Sequence, residues 1–257
     1  MPSLFRKLFG RRSRWQQEGL DMHQQKLLAA GVPQWSSLPP ASQQHLLGIV
    51  RVLLEEKTFE ACGGLRLTEY MKLSITGFAS LMLLGGRSDY FPDLRSILVY
   101  PTAYIAPVEE YDDAGFLTLG QEQRFGESWE SGSMVLAWDE IGRQQHSQSA
   151  ENLVIHECAH QLDVELGISL EIERGLHGKL VPDWAEALAG SYRRFSSNPR
   201  ILPPVDPYGA EHHSEFFAVL SELFFTQSQK LDAAAPELYE VLCHIYRYRA
   251  AFGASEV

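Results

Sequence analysis

Apolar residues recur at helical spacing over most of the chain. Between Ser42 and Lys57, residues Leu46, Ile49, Val50, Leu53 and Leu54 share one face of a 3.6-residue period, which predicts an amphipathic helix. Thr68 offers an N-cap oxygen, Glu69 puts negative charge in the first turn and Gly85 ends the apolar run, so a second helix is predicted over 68–84. Further helices are predicted over 152–166, stopped by Gly167, and over 183–195, about 214–227 and 236–252. Two short runs read as strands: Ser96–Tyr100, closed by Pro101, and Ser133–Trp138; Thr58–Cys62 is a third candidate. A mainly helical α+β fold with a small sheet follows.

No internal repeat, low-complexity tract or Gly/Ser linker divides the chain. With 257 residues, 45% of them apolar, it can bury one substantial core. The formal charge is −11, yet Arg6, Lys7, Arg11, Arg12 and Arg14 precede the first acid, so the rest is more acidic still. An acidic body argues against nucleic-acid binding, which needs clustered Lys and Arg. Leu4, Phe5, Leu8 and Phe9 intersperse the early basic residues, and residues 1–20 are read as a basic amphipathic arm preceding a single domain over 21–257.

Cys62, Cys158 and Cys243 form no CxxC pair, which fits a reducing, cytoplasmic setting without a disulfide framework. The most apolar stretch, Phe78–Leu84, is too short to span a membrane, and the N-terminus lacks the apolar core of a secretory signal. Its Arg-rich, acid-poor composition is shared with mitochondrial transit peptides. The acidic run Glu109-Glu110-Tyr111-Asp112-Asp113 lacks the central Gly and terminal Glu of a calcium loop and reads as a solvated loop.

The chemistry concentrates in His156-Glu157-Cys158-Ala159-His160, an HExxH motif inside the apolar-periodic segment 152–166. With only nine histidines in the chain, a chance occurrence is uncommon. Positions i and i+4 of a helix stand above one another, so both imidazoles can grip one zinc ion. Glu157 is rotated by about 100° from His156, which suits a base that takes a proton from the attacking water. Asp163, at i+3 from His160, is a candidate to accept the second N–H of a ligand histidine.

A hydrolytic zinc site needs a third protein ligand. Position 163 is Asp and 166 is Leu, which excludes the metzincin pattern, and Leu180 stands where the thermolysin spacing expects Glu. Glu171, Glu173, His177, Glu186, Glu215 and Glu222 stay open. Glu215 and Glu222 share one stripe of the apolar segment His213–Phe225; at most one of them is a direct ligand, leaving the other behind a ligand or in solvent. The helix-start position favours Glu215.

HECAHQLD, SEFFAVLSELFF, SILVYP and GESWESGSMVLAWDE together resemble the MtfA (Mlc titration factor A) family of zinc peptidases, whose catalytic portion is similar to that of anthrax lethal factor; the likeness runs from about Phe59 to Phe252. The resemblance implies a gluzincin with one zinc ion held by His156, His160 and Glu215, Glu157 as general base, and Tyr208 as the donor to the reaction oxyanion. It also implies a peptide substrate, aminopeptidase-like action and a link to an Mlc-like transcriptional repressor, with a repressor-binding protein carrying a structural zinc as the alternative. Cys158 departs from the family's usual Phe, which touches local packing and not the ligands. Tyr208 also ends the Pro-rich connection 196–208, of a length at which ordered loops tend to be functional. The strand at 134–138 is either an edge that pairs with substrate, as in gluzincins, or an internal strand.

Overall fold

The computed structural model describes residues 2–87, 89–111, 117–124, 126–129, 132–169 and 182–252. Helices α1 (Pro2–Glu18), α2 (Met22–Gly31) and α3 (Pro40–Glu56) lead into β1 (Thr58–Ala61), α4 (Glu69–Leu81) and β2 (Ser96–Tyr100). Strands β3 (Tyr104–Tyr111), β4 (Leu117–Arg124), β5 (Gly126–Trp129) and β6 (Ser133–Ala137) follow. The remaining helices are α5 (Trp138–Gln145), α6 (Leu153–Leu166), α7 (Pro182–Ser197), α8 (His213–Ala234) and α9 (Pro236–Tyr246). The fold is mainly helical with a small sheet, as the hydrophobic pattern predicts.

The sheet runs in the order β1-β2-β6-β5, with β1, β2 and β6 parallel and β5 antiparallel against β6. The strand at 133–137 is therefore internal, and the edges are β1 and β5, the latter pairing Gly126 with Leu136. Strands β3 and β4 form a separate antiparallel hairpin. Glu109, Glu110 and Tyr111, expected in a solvated loop, lie in β3, because ladder pairing with β4 satisfies their backbone whatever the polarity of their side chains. Asp112 and Asp113 lie outside the described residues.

Local signals set most helix boundaries. Thr68 Oγ1 accepts from Met71 N at 3.3 Å and Gly167, at φ +71°, ends α6. Three ends differ from the periodic reading. Helix α4 stops at Leu81, and residues 82–86 form turns before the chain moves on. Helix α8 continues to Ala234 through a non-helical Gln227 (φ −143°, ψ 47°), whose side chain donates to Gln148 O at 2.8 Å. Helix α9 stops at Tyr246, where Arg247 takes φ +51°, and the chain turns back so that Phe252 O accepts from Ser228 Oγ at 3.0 Å. Trp138 opens α5 and does not end β6.

The core runs from α3 and α4 through the sheet and α6 to the Phe-rich face of α8, where Phe216, Phe217, Phe224 and Phe225 are fully buried. The second half of α1 lies along α3: Arg12 makes a bidentate pair with Glu56 at 2.6 and 2.7 Å, and Gln16 reaches the Tyr90 hydroxyl. Among the described residues, no helix is long and apolar enough to cross a membrane.

Lys57, next to the C-terminus of α3, is buried and its Nζ donates to Phe91 O at 2.6 Å and Leu94 O at 2.8 Å. These bonds pin a segment in which Tyr90 and Phe91 take φ of +55° and +52°. Burial holds the Lys57 pKa down at about 8. Below that pH the ammonium is charged in the folded and the unfolded chain alike. Between about 8 and the ordinary lysine value near 10.4, the unfolded chain keeps a proton that the folded chain has released, so stability rises with pH through that window. Lys57→Met should cost about 1–3 kcal/mol at neutral pH, because two buried carbonyls lose their donor. The stability gap between wild type and Lys57→Met should widen from pH 8 to 10 in denaturant titrations; a constant gap would disprove the assigned titration.

Candidate metal centre

Helix α6 presents its apolar residues Val154, Ile155, Cys158, Ala159 and Leu162 to the core, which leaves His156 and His160 on the opposite, partly open face. Their Nε2 atoms lie 3.2 Å apart. Glu215, in the first turn of α8, completes the group: its Oε2 is 3.1 Å from His156 Nε2 and 3.5 Å from His160 Nε2. All three side chains are between 15% and 21% exposed, so the cluster is largely desolvated yet open on one side. Among the described residues, His156, His160 and Glu215 form the one group of donors close enough to share an ion.

The donor set fits a tetrahedral metal. Ligands at about 2.0–2.1 Å from zinc are separated along each tetrahedral edge by roughly 3.3–3.4 Å, and the three separations here bracket that value. Electrostatics point the same way. Burial works against an imidazolium at His156, but hydrogen bonds with Glu215 and Glu222 outweigh it and raise its pKa to about 10. Burial likewise opposes the Glu215 carboxylate, and the two histidines overcome it and hold its pKa at about 2. Both shifts have one cause: the carboxylates around His156 favour positive charge in this pocket.

The carboxylate behind His156 is Glu222, one stripe along α8 from Glu215. Its Oε1 is 2.8 Å from Nδ1 of His156, and its Oε2 accepts the backbone N–H of Asn152. Asn152 is the N-cap of α6, its side chain accepting from Ile155 N at 3.0 Å. Glu222 is buried, which pushes its carboxyl pKa up against the pull of His156 and Asn152 N–H. Asp163, expected to accept from a ligand histidine, is engaged elsewhere. The chain reverses after Gly167 and brings Ser169 back, so that its N–H donates to Asp163 Oδ1 at 2.6 Å and its hydroxyl to Oδ2.

Glu157 is buried beside the edge strand β5. A Cβ on Gly126 would overlap the Glu157 carboxylate and the Leu153 side chain, so glycine there makes room for the carboxylate. The sequence reading did not single out Gly126; its one signal is a glycine in a strand-like GESW run. Tyr208 lies in a one-turn 3₁₀ helix, Pro207–Ala210, capped by Asp206, whose Oδ1 accepts from Tyr208 N at 2.8 Å. Gly209 packs against Val219 and Phe216 with no space for a Cβ, which fastens this turn to α8. The Tyr208 ring, 47% exposed, is centred 6.1 Å from that of His156.

Of the other acids open to a ligand role, Glu186 is exposed on α7, and Glu171, Glu173 and His177 lie outside the described residues. His212 serves as the N-cap of α8, its Nδ1 accepting from Ser214 N. Cys158 is fully buried in the core, and burial raises its thiol pKa, as suits a packing residue.

Comparison with known proteins shows the family. A Synechocystis sp. protein of uncharacterized function is 33% identical over 234 residues, covering 90% of this chain and 85% of its own. The Mlc titration factor A proteins of Yersinia pestis (strain Pestoides F) and Yersinia pseudotuberculosis serotype O:1b (strain IP 31758) are each 30% identical over 223 residues, covering 85% of this chain and 82% of theirs. The model of the glucose-regulated metallo-peptidase M90 family matches residues 7–247, so the likeness begins within α1, well before the Phe59 at which the motifs become readable. The chain belongs to the glucose-regulated metallo-peptidase M90 family.

Proposed function

We propose that this chain is a zinc-dependent peptidase of the gluzincin type, with His156, His160 and Glu215 as ligands, Glu157 as general base and Tyr208 as oxyanion donor. The observation that carries this reading is the convergence of two imidazole nitrogens and one carboxylate oxygen at 3.1–3.5 Å, on helices whose separation in sequence makes the meeting specific. Family membership supports it. When bound, zinc supplies Lewis acidity, polarising a carbonyl and making water nucleophilic near neutral pH.

The protein's own groups supply the rest. Glu157, next in sequence to one ligand and packed beside β5, takes a proton from the attacking water and passes it to the leaving nitrogen. Tyr208 donates its phenolic O–H to the oxygen of the tetrahedral species. The edge strand β5 offers main-chain groups to an extended peptide, an interaction indifferent to substrate side chains. Aminopeptidase-like action on small substrates is proposed from the family resemblance alone.

The printed name of the Yersinia relatives, Mlc titration factor A, supports a second reading in which this chain also binds a repressor of the Mlc type. The two activities can coexist in one protein. A chain that takes up zinc, cleaves no peptide and captures purified Mlc would favour the second reading alone.

Purified protein should carry one zinc ion per chain by metal analysis. Glu215→Gln should lose metal and activity together, whereas Glu157→Gln should keep the metal and lower turnover at least about 10²-fold. Failure of the wild type to bind zinc after reconstitution would sink the proposal, and full turnover in Glu157→Gln would remove that residue as the base. For the mode of cleavage, a peptide with an unblocked N-terminus should be hydrolysed faster than its N-acetylated counterpart. Equal rates on the two would point to internal cleavage.

A further inference from the structure

We propose that Glu222 is the positioning residue of the metal centre, a single carboxylate that fixes the orientation of His156 and anchors the start of the helix that carries it. This rests on the reading of His156 as a metal ligand. A histidine that ligates through one nitrogen nearly always donates the other N–H to an acceptor, which sets the tautomer and the ring plane together. Glu222 Oε1, 2.8 Å from Nδ1, is placed to accept the proton of that nitrogen, so that Nε2, which faces His160 and Glu215, would be the atom to ligate a bound metal ion.

The other oxygen of the same carboxylate accepts from Asn152 N, the N-cap residue of α6. His156 lies one turn into that helix, and its own N–H donates to Asn152 O at 2.9 Å. Rotation of the ring and displacement of the helix start are therefore both resisted by one buried group. Thr226, one turn farther along α8, adds a tie from the same helix to the same approach segment, its Oγ1 donating to Ala150 O at 3.1 Å. Direct ligation by Glu222 itself is excluded by its position: it sits behind the ring, on the Nδ1 side.

A cavity of about 140 Å³ adjoins Glu222 under the Pro-rich turn and reaches the surface at the exposed residues Pro203 and Asp206. It gives the proposal a chemical test. Truncation in Glu222→Ala removes a group of the size and charge of acetate, and the cavity offers acetate a route to the vacated position.

The experiment measures zinc affinity of the full chain by competition with a fluorescent chelator, alongside circular dichroism and amide exchange of the metal-free protein. Glu222→Ala should weaken zinc binding about 10–100-fold, the scale for losing the carboxylate behind a ligand histidine. Exchange at Asn152 N–H should accelerate in the metal-free variant. Millimolar acetate should recover at least part of the lost affinity, acetamide should not, and neither should change the wild type. A purely structural role would alter exchange and leave the distinction between acetate and acetamide absent.

Glu222→Gln carries the same test if the alanine variant does not fold: its amide oxygen can still accept one N–H but brings no charge, and zinc affinity should fall about 10-fold. Wild-type affinity in either folded variant, or equal rescue by acetate and acetamide, would overturn the proposal. A wild-type chain that binds no zinc would overturn the metal reading together with it, an outcome distinguishable from the failure of Glu222 alone.

Discussion

The packing of α8 along α6 brings two carboxylates of one helix against one imidazole of the other. His156 is held between Glu215 on its Nε2 side and Glu222 on its Nδ1 side. A shift of either helix by one residue would turn a carboxylate out of reach, since neighbouring positions differ by about 100° around the axis. The charged layer is expensive to bury, and its geometry holds only because the apolar remainder of both helices is packed on its other side. On α6 that remainder is Val154, Ile155, Cys158, Ala159 and Leu162; on α8 it includes Phe216, Phe217, Leu220 and Phe224, all nearly inaccessible.

The same arrangement separates the faces of the centre. Toward the core, Glu222 and the N-cap of α6 hold the histidine from behind. On the other side, the exposed ring of Tyr208 stands on a turn locked by Asp206 and Gly209, and the buried Glu157 sits against the edge strand β5. Glu222 and Glu157 are buried, whereas the Tyr208 ring is open. Rigid support of this kind lowers the cost of presenting charge to a reacting group, which the proposed hydrolytic role would require.

The second half of α1 is tied to this body. Arg12 and Gln16 lie against Glu56 and Tyr90, and Gly48 allows α1 to approach α3 at the level of Gln16. The family match begins at residue 7, within that helix. Its contacts reach α3 and the Tyr90 segment pinned by Lys57, and so bear on the same core that supports α6.

What the sequence by itself determined was local. The HExxH spacing placed two imidazoles on one face, Thr68 and Gly167 marked helix ends, and the apolar periods located the principal helices, because these depend on contacts within a turn or two. The 3.6-residue period also put Glu215 and Glu222 on one stripe, but it could not say which would meet which nitrogen of His156. That was decided by the docking of segments 59 and 66 residues apart. Tertiary structure likewise turned Asp163 toward Ser169, made β5 and not β6 a sheet edge, and set Gly126 against Glu157. Periodicity fixes the direction of a side chain relative to its own helix or strand; the partner it meets depends on how those elements pack, and no local pattern encodes that.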